Sequence, residues 1–194
     1  MANPEEILAF WLDDVGPKGW YESSEELDET IRSRFLDDYN RMVSGSLSLW
    51  LTYATGTLAY IILADQFSRN MFRDTAQAFA TDKIAKAAAK AAINKGWDKR
   101  IDGAARQFFY MPLVHSECLE DQDRAVRLFM TRMPETGAQN LLHAKAHREI
   151  IRMFGRFPTR NAALGRETPQ AEQVFLDDGG YGAIVRSFEA DAAA

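Results

Sequence analysis

The residues best suited to chemistry come in two nearly matching phrases. The first is Asp65-Gln66-Phe67-Ser68-Arg69-Asn70-Met71-Phe72-Arg73; the second is Phe154-Gly155-Arg156-Phe157-Pro158-Thr159-Arg160-Asn161, closing with Leu164-Gly165-Arg166. Each sets Phe and then Arg-Asn just after an apolar helical run. A guanidinium recognises carboxylate or phosphate through paired N–H donors. If the two phrases meet, Arg69, Arg73, Arg156, Arg160 and Arg166, with Asn70 and Asn161, form a donor-rich pocket for a small anion or a peptide carboxylate. The same arginines would serve equally well as helix caps or as internal partners of Asp65, Glu117, Asp121 or Glu149.

Asp65 shares a helix face with Leu58, Ile61 and Ile62, so it is expected to point inward. A buried carboxylate costs on the order of several kcal/mol unless paired, so Asp65 predicts an arginine partner. It then acts either as a clamp on helix ends or as a site carboxylate. Asn140, His143, His147, Ile151 and Phe154 fall on one helical stripe. The i,i+4 spacing of His143 and His147 can bind a metal, but no strong third ligand accompanies them. A core-facing His147 hydrogen-bonded to a carboxylate or carbonyl is the reading taken. His115-Ser116-Glu117 follows Pro112. This trio would either do acid–base work or cap the next helix, with Ser116 as N-cap. Cys118 beside it carries no nucleophile signature. There is no glycine-rich phosphate loop, dinucleotide fingerprint, nucleophile elbow or paired-Cys motif. Neither a cofactor nor a metal is expected.

Helices must position these groups. Asn3-Pro4 opens a short helix through Phe10 and Trp11, broken at Gly16-Pro17. Ser24 starts a second, striped by Ile31, Phe35, Tyr39 and Met42. The apolar run Leu49–Ala64 reads as a buried core helix, since it falls short of the roughly 20 residues that span a bilayer; the third helix is expected from about Thr55 to Gln66, with Leu58, Ile61 and Ile62 on one face. Thr81-Asp82 caps an alanine-rich helix ending at Lys95-Gly96, whose Ala85, Ala88, Ala89 and Ala92 let a neighbour pack closely. Further helices cover roughly 103–111, 119–133 and 137–154. Thr168-Pro169 starts a last one that Gly179-Gly180 ends, and the tail after Tyr181 is expected to be extended or disordered, with frayed terminal alanines.

The 194 residues are 46% hydrophobic and 26% charged, with a net charge of -5. One globular all-α domain over 1–194 is expected, built from antiparallel helix pairs. Mild acidity argues against nucleic acid, and a lone cysteine with no signal-peptide pattern points to the cytoplasm. Trp11, Trp20, Tyr21 and Trp50 exceed the obvious needs of the early helices, which points to a homo-oligomer.

The two phrases, with His115-Ser116-Glu117, Ala78-Phe79-Ala80-Thr81-Asp82, Asp121-Gln122 and the run from His147 into Phe154, resemble an uncharacterised bacterial family, a domain of unknown function. The resemblance covers about 5–176. It implies a right-handed stack of helix pairs similar to the tetratricopeptide-like class, and no activity. Ser68 stands where Pro is common, Thr159 where His is common and Val114 where Glu is common. Such stacks bind peptides on a concave face. The expected function is therefore a protein- or peptide-binding module whose groove is lined by Asp65, Arg69, Asn70, Arg73, His115, Glu117, His147, Arg156, Arg160 and Asn161. The alternatives are an enzyme or binder for an anionic substrate, with His147 or His115 as acid–base group, and a purely structural cluster.

Overall fold

Asn3 accepts a hydrogen bond from the Glu5 amide (3.1 Å) and, with Pro4 at the first helical position, starts α1, Pro4–Leu8. The computed structural model describes residues 3–22, 24–101 and 103–193, with side chains as far as 190. The remaining helices are α2 (Gly16–Gly19), α3 (Glu25–Val43), α4 (Ala54–Ile61), α5 (Ser68–Met71), α6 (Asp82–Asn94), α7 (Met111–Val114), α8 (Leu119–Arg132), α9 (Ala138–Phe154), α10 (Gln170–Asp177) and α11 (Gly180–Ala193). Two π-helical stretches, Ala9–Val15 and Ile62–Phe67, continue α1 and α4. No strand occurs among the described residues, so the expected all-α class holds. No described helix is long and apolar enough to cross a membrane.

Backbone packing resolves two compact units, Met1–Pro112 and Leu113–Ala194. The core of the first is aromatic. Phe67, from the second π-helical stretch, sits 5.0 Å from Phe35, 5.4 Å from Trp11 and 5.9 Å from Phe10, ring centre to ring centre. Trp20 packs edge-on to Phe108 and donates its indole N–H to the Trp11 carbonyl (2.7 Å). Trp11, Trp20 and Trp50 are thus core residues of this unit, and of the four aromatics read as an interface signal only Tyr21 is exposed (62%). Its hydroxyl donates to the Gln107 side chain.

The second unit pairs α8 with α9 through the short connection 133–137, and α11 packs on α9. Phe129, Ala125 and Ala144 are buried in it, and a further core cluster joins Ile150, Ile151 and Phe157, with Phe154, Phe175, Tyr181 and Ile184 against it.

Several sequence expectations need correction. The helix expected at about Thr55–Gln66 is present as α4 and the π-helical stretch after it, but the whole run Leu49–Ala64 is not one buried helix. Ser48–Thr52 is a 3-10 turn with Leu49 76% exposed, and α4 begins only at Ala54, after extended Tyr53. The tail after Tyr181 is helical, not extended. Gly179 and Gly180 take positive φ (94° and 50°) and turn the chain, and Tyr181 and Ile184, one turn apart, then bury against α9. That tertiary contact holds a helix which local propensity leaves undecided. The fraying expected of the last alanines includes Ala194, which lies outside the described residues. Thr81 does not cap α6 with its side chain; its hydroxyl donates to the Ala64 carbonyl (2.6 Å). Nor is Ser116 the N-cap of α8. Cys118 holds that position, and Ser116 donates to Asp121 Oδ2 (2.8 Å).

Candidate functional site

In the first unit, the π-helical stretch carries Asp65 into full burial (0% exposed), and α5 follows it directly. Arg69, one turn on, pairs with Asp65 Oδ1 (3.2 Å) and donates to the Asp65 carbonyl (2.7 Å). Its other terminal nitrogen reaches Asp82, at the start of α6 (2.9 Å). Gln66 donates to Asp65 Oδ2 (2.6 Å). The expected arginine partner of Asp65 is therefore its own helical neighbour. Asp28, in the first turn of α3, receives Asn70 (2.7 Å) and both Nε and Nη2 of Arg73 (2.6 and 2.8 Å). Burial alone would raise the Asp28 carboxyl, but the hydrogen bonds from Arg73 and Asn70 outweigh it and hold it below the usual range. Arg32 donates twice to the Met71 carbonyl (3.1 and 2.7 Å), closing the C-terminus of α5. The first phrase thus ties α3, α5 and α6 together.

In the second unit, Gly155 takes a left-handed conformation (φ 69°), ends α9 and lets the chain turn back at once. Phe157 then points inward, and its backbone is pinned at both ends. Its amide donates to Glu117 Oε1 (2.8 Å), and its carbonyl accepts from Arg166 Nη2 (3.0 Å). Arg166 also forks onto Glu117 (2.8 and 3.0 Å) and donates to Asn161 Oδ1 (3.0 Å). Asn161, 1% exposed, donates to Glu172 (2.6 Å), which in turn accepts from Arg156 Nε (2.7 Å). Burial would raise the Glu117 carboxyl, yet the Arg166 bonds and the Phe157 amide hold it low. The Arg156 hydrogen bond does the same for Glu172. Arg160 donates to the His115 carbonyl (2.9 Å) and lies over the Phe157 ring (4.5 Å to its centre).

This knot frames a cleft of about 280 Å³ lined by His147, Ile150, Phe157, Pro158, Thr159, Phe175 and Tyr181. His147 Nδ1 contacts the His143 carbonyl at 2.8 Å. A carbonyl only accepts, so Nδ1 carries the proton and the neutral ring presents its lone pair at Nε2. No described residue hydrogen-bonds that nitrogen. Desolvation among Phe157, Tyr181 and the His115 ring pushes the His147 pKa down to about 3, so the ring is neutral at pH 7. His143 Nδ1 meets the Tyr181 hydroxyl at 2.5 Å, which fixes the wall that α11 contributes. A partly apolar cleft with one neutral imidazole can accept a hydrogen bond or remove a proton. Among the described residues no three His, Cys, Asp or Glu side chains converge as a metal-binding group.

The ten expected site residues fall into separate sets. Asp65, Arg69, Asn70 and Arg73 lie in the first unit; His115, Glu117, His147, Arg156, Arg160 and Asn161 lie in the second. Of these, only His147 lines the cleft. Reading the sequence missed Glu172, Asp28 and Tyr181. The two acids look like ordinary helix first-turn residues, and Tyr181 stood at the edge of a tail expected to be extended or disordered. The signal available for Glu172 was its place three residues after Pro169, a first-turn acid able to reach back to the preceding loop.

Residues 7–180 match the family described as a bacterial protein of unknown function (DUF924), and the chain belongs to that family. It is similar to the solved structure of a protein of unknown function from Agrobacterium tumefaciens, with 38% identity over 90% of this chain and 97% of that one and a TM-score of 0.84. No curated protein matches.

Proposed function

We propose that this member of the bacterial family is a binding module whose second-unit cleft takes one side chain of a protein or peptide partner. We read the pairing of α8 with α9, and of α9 with α11, as the start of a tetratricopeptide-like stack, a class that binds extended peptides. The observation that carries the proposal is the neutral His147 with an unengaged Nε2 in a mainly apolar cleft. At about 280 Å³ the cleft suits one large side chain better than a whole metabolite. An aromatic side chain with an N–H or O–H donor, tyrosine or tryptophan, fills the walls and satisfies Nε2. The arginines favour this over an anionic substrate, because Arg156 and Arg166 already spend donors on Glu172, Glu117 and Asn161.

The test is selection from a random peptide library on the purified protein, with a counter-screen on His147→Leu. The expected outcome is a family of peptides sharing a tyrosine or tryptophan, lost on the variant. A library that yields no enrichment, or enrichment indifferent to His147→Leu, sinks the reading.

A further inference from the structure

His143 and His147 stand one turn apart on α9, and the chain itself supplies an aromatic hydroxyl to the first of them. The Tyr181 hydroxyl meets His143 Nδ1 at 2.5 Å; the ring planes lie 18° apart and the ring centres 5.9 Å apart. At those values the hydroxyl approaches end-on, close to the imidazole plane, where a ring nitrogen makes its hydrogen bond. Tyr181 belongs to the first turn of α11, and Ile184, three residues on, packs with it against Ile150, Ile151 and Phe157. So α11 grips α9 by a tyrosine and an aliphatic residue one helical turn apart.

The cleft repeats the receiving half of that arrangement one turn along α9. His147 presents Nε2, and Ile150 lines the same cleft three residues on. Because Nδ1 donates to the His143 carbonyl, Nε2 of the neutral ring can only accept, so the incoming group must be a donor. A phenol carries its donor at the tip of a single ring and reaches an in-plane lone pair end-on, as Tyr181 reaches His143. An indole carries its N–H on the flank of two fused rings and must enter broadside.

We infer that the partner's residue is a tyrosine presented by a helix, with an aliphatic side chain three residues after it, so that the partner docks on α9 in the manner of α11. This rests on the cleft being a side-chain site, as proposed above, and names its occupant. The partner's hydroxyl donates to His147 Nε2, and its ring enters between Phe157 and Tyr181. The aliphatic companion covers Ile150, as Ile184 covers the neighbouring cluster. A helix laid in a groove by anchors one turn apart is an established way for one protein to hold another.

The probes are fluorescently labelled alanine-rich peptides, long enough to be helical by themselves. Three carry Tyr-x-x-Ile, Trp-x-x-Ile or Phe-x-x-Ile, and a fourth carries Tyr-Pro-x-Ile, which cannot hold the helix. Anisotropy titrations follow their binding to the wild-type protein and to His147→Leu. The helical tyrosine peptide is expected to saturate the wild type and to bind about ten-fold more tightly than the phenylalanine peptide, the size of one lost hydrogen bond. The tryptophan and proline peptides should be weaker than it as well. On His147→Leu the tyrosine and phenylalanine peptides should become equal. The wild-type comparisons stand without that variant. Tryptophan binding as tightly as tyrosine, or the proline peptide as tightly as the helical one, overturns the inference and leaves the cleft a side-chain site. No saturation by the helical tyrosine peptide overturns it too, and the library selection then decides separately whether the cleft takes a side chain. A tyrosine preference that survives His147→Leu overturns both.

Discussion

The two Phe/Arg-Asn phrases use the same residue types to different ends. In the first unit Asp65 to Met71 lie within a continuous helical segment, with Arg73 in the turn just after it, so Arg69 reaches one turn back to Asp65 and the polar groups meet partners on packed helices. In the second unit Gly155 has ended the helix, and the same residue types tie down a loop instead. That loop presents Phe157, Pro158 and Thr159 to a cleft beside His147. A helix that carries the motif consumes it in packing. A loop that carries it gains a fixed shape and keeps side chains to offer.

The comparison breaks first at Asp65. Asp65→Ala takes the buried carboxylate from Arg69 and Gln66, leaving Arg69 with Asp82 and the backbone carbonyl of residue 65, and should cost about 3 kcal/mol; a urea midpoint close to wild type would show that the first knot is not structural. Glu117→Ala should cost less, about 2 kcal/mol, because Arg166 keeps Asn161 and the Phe157 carbonyl. Its distinctive mark is faster hydrogen exchange at the Phe157 amide, and unchanged exchange there would separate the loop from its anchor. Arg73→Ala, with a side chain 41% exposed, should cost about 1 kcal/mol, since Asn70 still serves Asp28.

The pH dependence sharpens the same contrast. His147 has a folded pKa of about 3 against an ordinary 6.5, so the unfolded chain takes up a proton that the folded chain refuses. Its contribution is complete above about 6.5 and is lost as pH falls from there toward 3. His147→Gln should flatten stability between pH 6.5 and 4.5, with the remaining slope belonging to His143, which burial also lowers. Below 4.5, protonation of the depressed Asp28, Glu117 and Glu172 should destabilise both units. Equal slopes for wild type and His147→Gln in denaturation curves across the upper window would mean that water reaches the ring freely.

The helical class, the inward Asp65 and the carbonyl-bonded His147 were legible in the sequence, because each follows from periodicity or from the cost of burying a polar group. What pairs with the arginines was not. Asp28 and Glu172 sit in helix first turns, where an acid suits the dipole and so attracts no notice. The helix from about Thr55 was legible as well; the exposed turn before it was not, because Leu49 and Leu51 are as apolar as the residues of α4 behind them. The helix after Tyr181 was hidden for the opposite reason: two glycines mark a stop locally, and only the packing of Tyr181 and Ile184 onto α9 shows that the chain resumes.

The wall that Tyr181 gives the cleft hangs from those two glycines. Gly179 and Gly180 set the direction in which α11 leaves α10, while Phe157, Pro158 and Thr159 are held by a separate knot of ion pairs. Substitutions on α11 therefore change the width and chemistry of the cleft on one side and leave its other lining in place. For a lineage under selection to recognise a new partner, that helix is the interchangeable jaw of the grip.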